Sequence, residues 1–193
     1  MCVGAGRSPS PNGGGRADHA SHKPRPATAH AAPDRGRHTV GGHCRGPPGS
    51  GVIAYFDASA LVKRYVSEEG SERVHDWLSM PLRATSRWSQ VEILSALARR
   101  TREGHVTPAQ RNALAASLGQ DLAALMVVEL TDEVIAATEG LFARHPLRAG
   151  DCIHLASALL VKLRTGQPLL FHAFDQRLND AAAAEGLLVA GVP

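Results

Sequence analysis

The first 51 residues of this chain contain no leucine, isoleucine, phenylalanine, tyrosine or tryptophan, so a hydrophobic core has to come from the residues that follow. Glycine, proline, histidine, serine and arginine recur there instead. Such a segment buries too little apolar surface to offset the entropy that it would lose on ordering. We therefore expect residues 1–51 to be a disordered, dispensable extension, with Val52 as a plausible translation start, and residues 52–193 to form one domain.

The net charge of +3 is divided unevenly along the chain. Residues 1–50 hold seven of the 21 lysines and arginines but only two of the 18 acidic residues, so they carry +5 and the remainder carries −2. The basic character belongs to the extension. The charge of the expected domain therefore gives no argument for binding nucleic acid.

The cysteines and the hydropathy pattern indicate the compartment. Cys2, Cys44 and Cys152 form neither a metal-type pair nor an even-numbered disulfide framework, which favours a reducing environment. No apolar segment has the features of a signal peptide or the roughly 18 residues needed to cross a bilayer. We expect a soluble, cytoplasmic protein without a membrane partner.

Short apolar runs alternate with helical patterns from residue 52 onwards. The run at 52–56 is continuous and stops at Asp57, which is typical of a buried parallel strand. This alternation predicts a three-layer α/β/α domain around a central parallel sheet, with ligand sites at the carboxyl ends of the strands. We expect strands at 52–56, 82–85, 126–130, 169–174 and 187–189, and helices at 58–66, 71–80, 87–103, from about 108, 132–144, 150–166 and 176–185.

Four acidic residues lie where such strands end or helices begin. Asp57 and Asp175 end strands, Asp151 opens a helix, and Glu92 lies on a helix that follows a strand. Taken singly, each aspartate has a simpler interpretation as a helix cap or as a charge that stabilises a helix dipole. Their shared placement nevertheless predicts that all four converge on one rim of the sheet.

Glu92 is the most informative of the four. In its helix we expect a buried apolar stripe formed by Trp88, Val91, Leu94 and Ala98, and Glu92 lies beside that stripe. A glutamate at the edge of a buried face needs a polar partner. The alternative, a solvated glutamate whose stem covers apolar surface, stays open.

Clustered carboxylates point to a metal ion. Two carboxylates about 4 Å apart repel each other by roughly 4 kcal/mol at an effective dielectric constant near 20, so several in one cleft require a cation or altered protonation. Ligands that are all oxygen atoms suit Mg²⁺ or Mn²⁺, which activate water and neutralise a phosphodiester.

The four acidic residues lie in four distinct sequence segments. The segments are YFDASALVKRY at 55–65, Ser89 and Glu92 followed by Ser95-Ala96-Leu97 and Arg99, LRAGDCIHLASA at 147–158, and FDQRL at 174–178. They resemble the motifs of PIN-domain ribonucleases, in particular VapC toxins of type II toxin–antitoxin systems. The resemblance covers residues 52 to about 190 in the family's order and spacing.

The resemblance implies a metal-dependent endoribonuclease, a cognate antitoxin partner and a homodimer. It implies that Asp57 and Asp151 are the principal metal-holding carboxylates, that Glu92 completes the site and that Asp175 is auxiliary. The family usually has threonine or serine two residues before the last aspartate, where this chain has Ala173, so the contribution of Asp175 is expected to be weaker. For the Ser59 hydroxyl, contact with metal-bound water or a phosphate and simple helix capping remain open. His154 could face the cleft, but a packed or surface histidine is favoured.

Two other functions compete with RNA hydrolysis by metal-activated water. Asp57 after the first strand also suits a phosphatase-type phosphoryl-transfer enzyme, although haloacid-dehalogenase-like phosphatases need a second aspartate where this chain has Ser59. A PIN fold that binds RNA or protein without cleaving it is the second alternative. The sequence contains no P-loop or dinucleotide-binding fingerprint.

Overall fold

The structure, a computed structural model, describes residues 51–66 and 69–190. The expected extension at residues 1–51 therefore lies outside the described residues except for Gly51, and its disorder stays a prediction. Within the described part of the chain, no helix is long and apolar enough to cross a membrane.

Five short parallel strands form one sheet in the order β3-β2-β1-β4-β5. The first strand, β1, lies in the middle and pairs with β2 on one side and β4 on the other. The predicted parallel sheet is confirmed, although most strands are shorter than expected. The strands are β1 at Ile53–Phe56, β2 at Arg83–Ser86, β3 at Met126–Val128, β4 at Leu169–His172 and β5 at Leu188–Val189.

Seven α-helices in the described residues connect and cover the strands. The expected helix at 58–66 is a single α-helical turn that tightens into a 3-10 turn at Val62–Arg64. Other helix ends are set by single residues: Pro108 lies in the first turn of α4, and Gly166, with φ of 63°, ends α6. The helices are α1 at Ala58–Leu61, α2 at Ser71–Trp77, α3 at Arg87–Arg102, α4 at Pro108–Ala123, α5 at Asp132–Arg144, α6 at Ala149–Thr165 and α7 at Gln176–Ala184.

Alternate residues of β1 enter two different apolar layers. Tyr55 belongs to the cluster that includes buried residues of α5, α6 and α7, whereas Phe56 belongs to the cluster that includes buried residues of α1, α3 and α4. Both faces of the strand are therefore buried, which explains its continuous apolar run. This is the predicted three-layer α/β/α arrangement, and it aims Asp57 past the carboxyl end of the sheet.

The expected buried stripe of α3 is wrong. Val91 is 51% exposed and Leu94 is 39% exposed, and the residues that face the core are instead Ser89, Ile93 and Leu97. These three lie four residues apart, on one side of the helix. Apolar residues occur on two sides of α3, so the sequence pattern did not reveal which side is covered.

Candidate active site

Asp57 follows β1 directly and caps the N-terminus of α1. Its backbone N–H donates to the His172 carbonyl of β4 at 3.1 Å. Its Oδ1 accepts hydrogen bonds from the Ala60 N–H at 2.9 Å and from the Ser59 hydroxyl at 2.7 Å. Only 5% of the residue is exposed, and this burial raises the pKa of the carboxyl group, against the opposing effect of nearby His154. A carboxylate held in this environment is stabilised by a cation.

The Ser59 hydroxyl joins the start of α1 to the loop after β4. It donates to Asp57 and accepts a hydrogen bond from the Phe174 N–H at 2.9 Å. Phe174 directly precedes Asp175, the N-cap of α7. One hydroxyl thus connects the surroundings of two of the predicted site residues.

Glu92 lies in the second turn of α3, with 37% of its side chain exposed. Its Oε2 is 2.9 Å from Nε2 of His154 on α6, a residue that is only 2% exposed. The other ring nitrogen of His154, Nδ1, is 3.2 Å from the hydroxyl oxygen of Tyr55, which is fully buried in β1. The polar partner expected for Glu92 is therefore this histidine.

Gly150 gives Glu92 the space that it occupies. A Cβ atom at position 150 would lie 2.8 Å from Oε1 of Glu92 and 3.0 Å from Nε1 of Trp88, both closer than atoms normally approach. The indole N–H of Trp88 is buried and has no hydrogen-bond partner within the part of the chain that the structure describes. A side chain at position 150 would push both groups away, so the glycine lets α3 and the start of α6 approach closely.

Asp151 and Asp175 lie at the starts of α6 and α7. Oδ2 of Asp151 accepts a hydrogen bond from the Arg148 N–H at 3.1 Å. Oδ1 of Asp175 accepts from the backbone N–H groups of Arg177 and Leu178, and its Oδ2 pairs with the Arg177 guanidinium at 3.2 Å. Partial burial opposes these contacts, but they lower the pKa of Asp175 below its usual value. Arg177 also interacts electrostatically with Asp151.

The four predicted acids therefore form two pairs. The charges of Asp57 and Glu92 both raise the pKa of the buried Tyr55, and both acids have the buried His154 beside them. We call these two acids the buried pair, after the two buried residues that they share. Asp151 and Asp175, hereafter the helix-start pair, both act on Arg177. Within residues 51–66 and 69–190, no group of three or more histidine, cysteine or acidic side chains is arranged so that it could hold a metal ion as it stands. Placing three or four of these acids on one ion requires side-chain movement.

The donor groups nevertheless suit a hard divalent cation. All four are carboxylates, the ligands that Mg²⁺ and Mn²⁺ prefer. Among the described residues, hydrogen bonds reach only one carboxylate oxygen of Asp57, Glu92 and Asp151. Asp175 differs, since both of its oxygens are engaged. Three of the four acids therefore keep an oxygen for a ligand.

Sequence reasoning missed the part played by His154 and Tyr55. His154 is packed, as favoured, and it also contacts Glu92. The available signal was its position three residues after Asp151, on the same side of α6. For Tyr55, no local signal distinguishes a core tyrosine from one that supports a polar site.

The comparison with known families agrees with this geometry, because the PIN domain matches residues 54–184. The chain belongs to the PIN-domain family. Ribonuclease VapC45 of Mycobacterium tuberculosis is 36% identical over 140 residues, which cover 72% of this chain and 94% of that protein. The predicted resemblance to PIN-domain VapC proteins is confirmed, and the phosphatase alternative is overturned.

Two solved structures share the PIN fold of this chain. FitAcB from Neisseria gonorrhoeae is 18% identical with a TM-score of 0.55, over 72% of this chain and 96% of that chain. VapBC2 from Rickettsia felis, solved bound to a DNA fragment from their promoter, is 9% identical with a TM-score of 0.52, over 72% of this chain and 98% of that one. At these identities the likeness concerns the fold alone.

Proposed function

We propose that this PIN-domain protein is a divalent-metal-dependent endoribonuclease that acts as the VapC-like toxin of a type II toxin–antitoxin system. The observation that carries the proposal is the buried Asp57 carboxylate at the end of the central strand, in a chain 36% identical to a VapC ribonuclease. Such a carboxylate is costly to bury without a counter-charge. It is therefore better explained as a ligand group than as a helix cap alone.

Asp57, Glu92 and Asp151 would hold one or two Mg²⁺ or Mn²⁺ ions, and Asp175 would assist. When bound, such an ion lowers the pKa of a water molecule and offsets the negative charge that develops on the phosphodiester. The protein orients the ligands: Ser59 fixes Asp57, and His154 contacts Glu92. Asp175 is already paired with Arg177, which supports an auxiliary role.

The proposal is tested by incubating purified protein with total cellular RNA in the presence of chelator, and then adding Mg²⁺ or Mn²⁺. We expect cleavage only with added metal, and none with the Asp151→Asn protein. Sequencing the 5′ ends of cellular RNA after brief induction would identify the substrate. A folded parent that leaves RNA intact with either metal would favour the remaining alternative, a PIN fold that binds RNA or protein without cleaving it.

An antitoxin protein and a second copy of the chain are the proposed protein partners, with the cytoplasm as the compartment. Candidates for a groove that takes an amphipathic antitoxin helix are Trp77, Leu78 and Leu94, with core packing as the competing interpretation. Trp77 and Leu78 pack against the apolar layer of Phe56, where Trp77 contacts the His172 ring at a tilt of 40° and Leu78 lines a cavity of about 200 Å³ with Leu118 and Leu122. Leu94 is exposed, so the partner-binding surface is proposed around this residue.

Growth assays and size measurements test these partners separately. Expression of this chain alone should slow bacterial growth, and co-expression with the neighbouring gene should restore it. Light scattering of the purified protein should give the mass of a dimer. Harmless expression of folded protein would contradict the toxin assignment, and a monomeric mass would contradict only the dimer.

A further inference from the structure

His154 connects three elements around the proposed active site. It lies on α6, one turn after Asp151, and is almost completely buried. Its Nε2 contacts Glu92 of α3, and its Nδ1 contacts Tyr55 of β1. Tyr55 lies two residues before Asp57. The imidazole therefore links the helix that carries Glu92 to the strand that Asp57 directly follows.

Hydrogen-bond roles fix the orientation of the imidazole ring. A carboxylate only accepts hydrogen bonds, so the Nε2 of His154 donates to Glu92. In the neutral ring, Nδ1 is then an acceptor, and the Tyr55 hydroxyl supplies the matching donor. Turning the ring by 180° about its Cβ–Cγ bond would put Cδ2 and Cε1 in the places of Nδ1 and Nε2 and break both contacts. The phenol thus selects the tautomer whose N–H points at Glu92.

The carboxylate of Glu92 is confined from the other side as well. Its Oε2 meets His154, while its Oε1 packs where a Cβ at Gly150 would otherwise lie. The imidazole supplies the hydrogen bond that holds this side chain, which is about one-third exposed, against alternative rotamers in solvent. Groups of this kind, which orient a metal ligand without touching the metal, commonly change metal affinity or activity about 10–100-fold.

We propose that His154 is a positioning residue that holds Glu92 in place for metal binding, and that Tyr55 fixes the imidazole for this task. The inference rests on the proposed function, since it assumes that Glu92 is a ligand. No role in proton transfer is required. The role is instead to reduce the rotational freedom that Glu92 would lose on binding the ion.

Two matched substitutions separate the two hydrogen bonds. The amide of glutamine reaches the place of Nε2, so His154→Gln retains a donor for Glu92. The shorter amide of asparagine reaches only the place of Nδ1, so His154→Asn retains contact with Tyr55 alone. His154→Leu removes both contacts. Mn²⁺ affinity is measured by titration calorimetry on the full-length proteins, alongside their thermal unfolding and RNA cleavage.

We expect Glu92→Gln, His154→Leu and His154→Asn each to weaken Mn²⁺ binding about tenfold or more, and His154→Gln to stay within about threefold of the parent. The Glu92→Gln/His154→Leu protein should bind no more weakly than Glu92→Gln alone, because both changes act on one ligand. Tyr55→Phe, which removes only a hydroxyl, should weaken binding a few-fold.

The outcomes distinguish this inference from the proposed function. If Glu92→Gln binds Mn²⁺ like the parent, the metal-site assignment itself is wrong. If Glu92→Gln binds weakly but folded His154→Asn binds like the parent, His154 does not position Glu92 and only packs the core. If His154→Leu does not fold, the comparison of His154→Gln with His154→Asn still tests the proposal. Equal Mn²⁺ affinities of these two variants would overturn it.

Discussion

The two pairs of acids in the candidate site are held by different kinds of structure. Each acid of the buried pair contacts a side chain that is itself fixed elsewhere: Ser59 is bonded to the Phe174 N–H, and His154 is bonded to Tyr55. The helix-start pair depends on backbone N–H groups and on the exposed Arg177. Substitutions at the buried pair should therefore change activity by disturbing a rigid hydrogen-bond network. Substitutions at the helix-start pair should change it mainly through charge.

The largest effect is expected for Asp57→Asn. Loss of this carboxylate should reduce RNA cleavage by at least about 100-fold, since even groups that only support a metal ligand change activity by 10–100-fold. The asparagine can still accept the hydrogen bonds from Ser59 and Ala60. Because a buried charge is removed, the melting temperature of the metal-free protein should stay equal or rise.

Cleavage assays and thermal unfolding with and without Mn²⁺ check this prediction. Added Mn²⁺ should raise the melting temperature of the parent more than that of Asp57→Asn or of Asp151→Asn. If the folded Asp57→Asn and Asp151→Asn proteins cleave RNA at the rate of the parent, these two acids are helix caps and not metal ligands.

A second substitution, Gly150→Ala, tests the rigidity of the buried pair. The new methyl group would meet Glu92 and Trp88 at less than or about 3.0 Å, so these side chains or α6 must shift. We expect a loss of about 1–3 kcal/mol in the free energy of unfolding, as for other overpacked sites, and a fall in cleavage of about tenfold. Gly119→Ala is the control, because nothing lies within 4 Å of its added Cβ. Urea unfolding that is the same for both variants would show that the close approach tolerates a methyl group.

A milder result is expected for Asp175→Asn. Its carboxylate is already paired with Arg177, so neutralising it should reduce cleavage by about tenfold or less, in contrast to Asp57→Asn. Increasing the Mn²⁺ concentration should restore most of the activity. Steady-state kinetics at several metal concentrations measure this, and a loss as deep as that of Asp57→Asn would remove the distinction between the two pairs.

The smallest effect concerns stability near the site rather than chemistry. His172 is fully buried between Phe56 and Trp77, and its two ring nitrogens have no hydrogen-bond partner among the described residues. Burial lowers its pKa from 6.5 to about 4. The unfolded chain therefore binds a proton on His172 between those values while the folded protein does not. The contribution of His172 to the free energy of unfolding is therefore complete above about pH 6.5 and is lost as the pH drops towards 4.

His172→Phe should flatten this part of the pH dependence and leave cleavage at neutral pH unchanged. Urea unfolding at pH 7 and pH 5 gives the comparison with the parent. An identical fall in stability for both proteins would assign the acid sensitivity to other groups.

Most strands and helices were predictable because their signals are local. The apolar run before Asp57, the Thr131 cap of α5 and the glycine after α6 each act within a few residues. The covered side of α3 was not predictable, since it depends on which helices pack against it. The contact between Glu92 and His154 joins residues 62 positions apart, and its recognition requires the folded arrangement.

The central position of β1 has a consequence for how the protein fluctuates. A strand paired on both sides opens only when its neighbours have separated, whereas β3 and β5 at the sheet edges can fray singly. The amide hydrogens of Tyr55 and Phe56 should therefore exchange with solvent among the slowest in the domain, and those of the edge strands much faster. Because Asp57 directly follows this strand, its position should survive most partial openings of the molecule and be lost only with global unfolding.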